Sequence, residues 1–323
     1  VVTLLNKIIQ SIHARNPKGS TESVFFAAFG KHPGWDDHVD DMGLETDVLV
    51  KVKRLLYIQG IGRNIDAGNW DKLGQGKKTE GFAHTFVWSL DQDIVVGRLW
   101  KSQDGKNRSS YPMIVCAHCS ELPLWWVINT ILPRLEGIEA SCRATSSAID
   151  VQKIIKEAQD EFRQLAQQRE PLSQKSSSGS SSLAKLAQLP EMGLDREGLY
   201  RVLYYLEGEV ALGDRKPNKG QPLQPILVRV DNHTSPITEH ACLWIDFLLT
   251  KLGPKIPILA IVPSKYPWID LILGEPTDSQ LFCLRALDIP VRTSIPYSID
   301  SEFIQGVDRM LDNAIEGSGL AES

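Results

Sequence analysis

The stretch FGKHPGWDDHVDD, residues Phe29 to Asp41, places a lysine, two histidines and four aspartates within thirteen positions directly after an apolar run. Carboxylates beside an imidazole can hold a divalent ion and activate bound water, so Asp36, Asp37 and His38 are candidate ligands of a metal-dependent hydrolase. On a strand, Asp36, His38 and Asp40 would share one face; on a helix, Asp37, His38 and Asp41 would converge. Such a site needs further ligands from other elements, and neither an H-E-x-x-H nor an EF-hand spacing is present. The competing reading is a solvated acidic turn, bent at Gly30, Pro33 and Gly34, that a protein partner reads.

Other motifs carry less chemistry. Cys116 and Cys119 stand as CAHC, but no second C-x-x-C pair completes a zinc site, and Ser120 stands where haem attachment requires histidine. Burial of reduced thiols is the reading that remains. GQGKKTEG lacks the first glycine of a phosphate loop, with Asp71 in its place, and Lys78 replaces the metal-binding hydroxyl. This segment and GIGRN read as flexible glycine-rich loops. No G-x-S-x-G elbow occurs. Trp88, Trp100, Trp125, Trp126 and Trp244 fall within predicted elements and are assigned to the core.

The elements that must position the charged turn follow from periodicity. VFFAAFG reads as a buried strand ended by glycine, and a helix capped by Thr46 or Asp47 runs to about Gly60. HTFVWSL and IVVGRLWKS, parted by DQD, predict an antiparallel hairpin, and YPMIVCAHC a third strand opened by Pro112. Pro123 suits the first turn of a following helix, and the next helix runs from about Ser147 to Gln168. Past PLSQKSSSGSSSLAK, a predicted flexible linker, come a helix in DREGLYRVLYYLEG, a strand in PILVRV, and a helix through CLWIDFLLTK stopped at Gly253. IPILAIVP and WIDLILG are further strands, Thr277 to Gln280 form a capping box, and SEFIQGVDRMLDNA is the last helix.

These elements predict an α/β (α+β) class with a mixed, largely antiparallel sheet and flanking helices. The expected division is an amphipathic helix over 1–20, an α/β domain over 21–170, the Ser-rich linker over 171–186, and a second α/β half over 187–318 packed on the first. With 35 basic and 40 acidic residues among 323, the net charge of −5 leaves no phosphate-backbone footprint, so nucleic acid is not an expected partner. No apolar run reaches the length of a membrane span, and Asn6 and Lys7 interrupt any signal-peptide core. The expectation is a cytoplasmic protein without membrane insertion, needing no cofactor.

Two separated stretches together resemble a known pattern. GKHPGWDDHV is similar to the G-K-x-P turn, with Asp and Val a few residues later, of the TagF family, also called ImpM, of type VI secretion-associated proteins. GRLWKSQDGKNRSSYP is similar to that family's G-x-L-x-x-S-x-D-x-x-G-R loop with its following proline. The matching positions are Gly30, Lys31, Pro33, Asp37 and Val39 in the turn, and Gly97, Leu99, Ser102, Asp104 and Arg108 in the loop. Asp36 and His38 stand where the family usually has glycine and phenylalanine, and Asn107 where it has glycine, a place asparagine can fill in a left-handed conformation. The resemblance implies an α/β module without catalytic activity that acts after translation by engaging a forkhead-associated scaffold protein of the secretion machinery.

The residues suggest how such a module would work. Turn and loop would lie side by side at one end of the sheet, with Arg108 paired to Asp37 or Asp104. Lys31, His32, Asp36 and Asp40 would then stand outside as a readable rim. Alternatively, Asp37, Asp104 and Arg108 only staple two loops while binding occurs elsewhere.

Overall fold

Along the first apolar run, successive side chains part to opposite faces: Val24, Phe26 and Ala28 enter one core, Ala27 and Phe29 another. The run is strand β1, Ser23–Lys31. The computed structural model describes residues 23–168, 182, 184–186, 196–213, 225–232, 236–289 and 299–318. The predicted helix over 1–20 and most of the predicted linker lie outside the described residues.

The remaining strands are His38–Met42 (β2), Ala83–Leu90 (β3), Asp93–Lys101 (β4), Pro112–Ser120 (β5), Ile226–Asp231 (β6), Ile258–Pro263 (β7) and Trp268–Leu273 (β8). They form one eight-stranded sheet in the order β2-β1-β5-β4-β3-β7-β8-β6. Every pairing among them is antiparallel, which narrows the predicted mixed sheet. β3 and β4 join through a tight hairpin in which Asp91 takes φ +60°, a conformation aspartate tolerates. β7 pairs with β3, so strands from both halves of the chain share one sheet. Of the predicted linker, residues 182 and 184–186 are described; they are helical, and Ser182, Ala184 and Leu186 are buried. Ala184 and Leu186 are apolar, and the Ser182 hydroxyl donates to Asp246.

Both faces of the sheet are covered, which is why its strands read as apolar runs rather than clean alternation. One core is closed by residues 124–143 (α2), Ala148–Gln168 (α3), Arg196–Gly213 (α4), Ile237–Leu252 (α5) and Ser301–Ser318 (α7), through residues such as Leu135, Phe162, Leu199, Trp244 and Val307. The other is closed by residues 47–66 (α1) and the short helix Asp278–Leu281 (α6). Thr46 caps α1 as predicted, its hydroxyl accepting from the Leu49 N–H at 3.2 Å. α1 does not stop near Gly60: wider π-type turns over Lys53–Gly62 carry it to Asp66. GIGRN is therefore helix rather than loop, and a Cβ on Gly60 would stand 2.1 Å from Leu281 Cδ1, so the glycine admits α6 against α1.

Thr277 and Gln280 form the predicted capping box, but its helix lasts one turn before a 3-10 turn over Phe282–Leu284. Pro123 precedes α2 as its cap rather than lying within the first turn. Trp88, Trp100, Trp126 and Trp244 are core residues, whereas Trp125 is 46% exposed. Cys116 and Cys119 lie three positions apart on a strand and so enter opposite cores. Burial pushes the Cys116 thiol up to about 12, as suits a packed, protonated thiol. No described helix is long and apolar enough to cross a membrane.

Candidate functional site

Antiparallel pairing sets the end of β1 beside the start of β5, with Gly30 opposite Met113, and the end of β4 beside it, with Lys101 opposite Pro112. The turn after β1 and the loop between β4 and β5 must therefore emerge at the same end of the sheet. Gly30 makes this approach feasible. Its φ is +117°, and a Cβ there would stand 2.3 Å from the Pro112 carbonyl oxygen.

The turn closes through the Trp35 N–H, which donates to the His32 carbonyl at 3.0 Å across Pro33 and Gly34. His32 is buried, which corrects its placement on the rim. Its Nδ1 accepts from the Gly34 N–H at 3.1 Å, so Nε2 carries the proton and donates to the Cys142 carbonyl at 2.9 Å. The imidazole thus ties the turn to the end of α2. Gly34 also abuts the start of α3, where a Cβ would meet the Ala148 nitrogen at 2.5 Å.

Asp104 organises the loop. Its Oδ1 accepts from the backbone N–H groups of Lys106 and Arg108 at 3.0 and 2.9 Å, and its Oδ2 from Lys31 Nζ at 2.6 Å and Arg108 Nε at 2.7 Å. Burial works to raise the Asp104 pKa, yet the Lys31 and Arg108 donors outweigh it and hold the carboxyl well below the usual carboxylate range. Asn107 adopts φ +61° in this loop, the conformation its position calls for. Lys31 is the second correction to the rim: it is 4% exposed, and its ammonium faces inward to Asp104. A lysine continuing a buried strand requires such a partner.

Backbone and side-chain hydrogen bonds join loop to turn. The Gly105 N–H donates to the Trp35 carbonyl at 2.7 Å. Arg108 Nη2 donates to the Asp36 carbonyl at 2.8 Å and to Asp37 Oδ1 at 3.1 Å. Arg108 therefore engages both Asp104 and Asp37. No protein-family model matches this chain, and no curated protein matches it. What the site can do must come from its own geometry.

Asp36, Asp37, Asp40 and Asp41 stand exposed around the braced pair, with Lys106 Nζ 3.7 Å from Asp36 and Lys53 paired to Asp41. Ser102 follows β4, half-buried, and Val39 is buried in β2. His38 begins β2, half-exposed, with Nδ1 3.0 Å from Asp37 Oδ1. Asp36 precedes that strand, so neither the strand nor the helix grouping of the acidic cluster forms. Among the described residues no group of three or more His, Cys, Asp or Glu side chains is placed to hold a metal ion. Asp36, Asp37 and His38 thus do not form the ligand set a metal-dependent hydrolase requires.

Periodicity gave no warning of one further cluster. The Thr46 hydroxyl lies 3.1 Å from His118 Nδ1, and Asp93 Oδ1 lies 3.0 Å from its Nε2, although off the line of the N–H. The order resembles a nucleophile triad, but the Thr46 oxygen is engaged as the cap of α1. The cluster ties α1, β4 and β5 together.

Proposed function

We propose that this chain is a non-catalytic regulatory adaptor of a type VI secretion system, of the TagF (ImpM) kind, acting after translation by binding a forkhead-associated scaffold. The observation that carries the reading is the meeting of the two motif segments on one surface, held from beneath by the buried Lys31–Asp104 pair. Loops fixed in advance lose little conformational freedom when they dock, and charges around them set orientation and encounter rate. Forkhead-associated domains read acidic motifs through arginine clusters. The exposed Asp36, Asp37, Asp40 and Asp41 offer such an acidic rim. The chain would work in the cytoplasm, without a cofactor, nucleic acid or membrane insertion.

The test is affinity capture from the native cells with the wild-type chain and an Asp36→Lys, Asp37→Lys double variant at matched folded concentration. Capture of a forkhead-associated protein that the double variant loses is the expected outcome. Capture indifferent to the charge reversal would overturn the docking face. Arg108→Ala addresses the stapling alternative: reduced stability with undiminished capture would leave these residues a structural role only.

A further inference from the structure

Beside the braced loops a cavity of about 290 Å³ opens between β2 and α1, and its lining includes His38, Asp41, Lys53, Tyr57, Asp66 and Tyr111. The three rings meet there, with centroids 5.2 Å apart for His38 and Tyr111, 5.5 Å for Tyr57 and Tyr111, and 6.0 Å for His38 and Tyr57. Their planes are inclined by 71°, 48° and 87°, so two of the pairs meet edge to face and the third is tilted. Two carboxylates, Asp41 and Asp66, are exposed at the same cavity. The Tyr57 hydroxyl is buried and has no hydrogen-bond partner among the described residues. Buried hydroxyls are ordinarily bonded, so an unpartnered one on a residue that lines a cavity is an exception.

Two carboxylates at the cavity, Asp41 and Asp66, disfavour an anion there, while Lys53 offsets part of their charge. Burial, Tyr111 and the Asp37 and Asp41 carboxylates push the Tyr57 phenol up, and burial and Asp66 push Tyr111 up. Ring faces are electron-rich and attract a cation lying within about 6 Å of a centroid. The volume is at the lower edge of ligand sites, roughly 300–1,000 Å³, and suits one side-chain head group. The two exposed carboxylates accept hydrogen bonds, which a quaternary ammonium cannot supply. A guanidinium brings five N–H donors on a plane that lies against aromatic rings. Lys53, paired to Asp41, is the resident cation an incoming group would have to displace.

We propose that this cavity receives an arginine side chain presented by the protein that docks on the adjoining ionic face. The inference rests on the docking reading only for who presents the arginine. The test uses the purified full chain, ¹³C-labelled at histidine, titrated with N-acetyl-arginine methylamide and separately with tetramethylammonium. His38 resonances, assigned by their loss in His38→Gln, should shift saturably with the arginine compound and respond at least about tenfold more weakly to tetramethylammonium. Asp66→Asn should weaken arginine binding about threefold, whereas Lys53→Gln should tighten it about threefold by removing the competing charge. Absence of a saturable shift, equal binding of tetramethylammonium, or affinities unmoved by both variants would overturn the proposal. Arginine binding with capture indifferent to the Asp36→Lys, Asp37→Lys variant would sink the docking reading alone; the reverse pattern would sink the cavity alone.

Discussion

Lys31 Nζ and Asp104 Oδ2 meet at 2.6 Å, with 5% of one side chain and none of the other open to solvent. This contact joins the end of β1 to the loop after β4, segments separated by more than seventy residues of chain. Removing one member of a buried pair leaves an uncompensated charge or open donors, and the two members here are unequal. Lys31 has Asp104 as its near partner, with Asp37 at 3.8 Å, while Asp104 holds three further donors.

Asp104→Asn is therefore expected to lower the melting temperature more than Lys31→Met, because it strands Lys31 and loosens Arg108 together. The pH dependence has a definite sign. A carboxyl held low in the fold stabilises fully above its unfolded pKa, about 3.9, and that contribution is lost as pH falls below it. Calorimetry from pH 7 to pH 2 should show a flatter acid limb for Asp104→Asn than for the wild type.

Glycines at the site are unequal as well. Gly30→Ala meets a left-handed φ and a 2.3 Å approach to the Pro112 oxygen. It should destabilise by about 3 kcal/mol or more in denaturant titration. Gly105→Ala meets Asp36 Oδ1 at 3.1 Å and two carbonyl oxygens at 3.2 and 3.3 Å, contacts that small shifts relieve. Its cost should stay below about 1.5 kcal/mol.

His84 is buried in β3, and burial, together with Arg98, Arg229 and Arg285, pushes its pKa down to about 3. Its unfolded form titrates near 6.5, so between these values the unfolded chain binds a proton that the folded chain refuses. Stability should fall as pH drops below about 6.5, with a slope of up to about 1.4 kcal/mol per pH unit from this residue. His84→Leu should flatten that slope in pH-dependent denaturant melts; an unchanged slope would show that His84 is not its source.

Arg229 forms a two-pronged pair with Asp270 at 2.7 and 2.8 Å, lies over the Trp268 ring, and donates to the carbonyls of Ala286 and Leu287. Asp270→Asn should cost about 3–5 kcal/mol, since it leaves a buried guanidinium without its counter-charge. Hydrogen exchange should also accelerate at residues 282–287, which Arg229 fastens to the sheet.

Legibility in the sequence was uneven for physical reasons. Thr46, the 83–101 hairpin and the Thr277 capping box are local devices whose signals lie within a few residues, and each forms. The length of α1 was not legible, because Gly60 looks like a stop signal until Leu281, far along the chain, is seen against it. His32 and Lys31 read as surface residues by type; their burial depends on the Cys142 carbonyl and on Asp104. Tyr57 and Tyr111 carried no local signal, since only the meeting of α1, β2 and the loop before β5 brings them to His38.

The α/β class, most of the strands and helices and their caps were determined by sequence alone, because periodicity, caps and turn residues act over short range; β2 and the extension of α1 were not. Which charges face inward, the continuity of one sheet through both halves, and the aromatic cavity were decided only by tertiary structure. Burial and ion pairing depend on partners that the chain delivers from far away, and no local pattern of residue types encodes where those partners arrive.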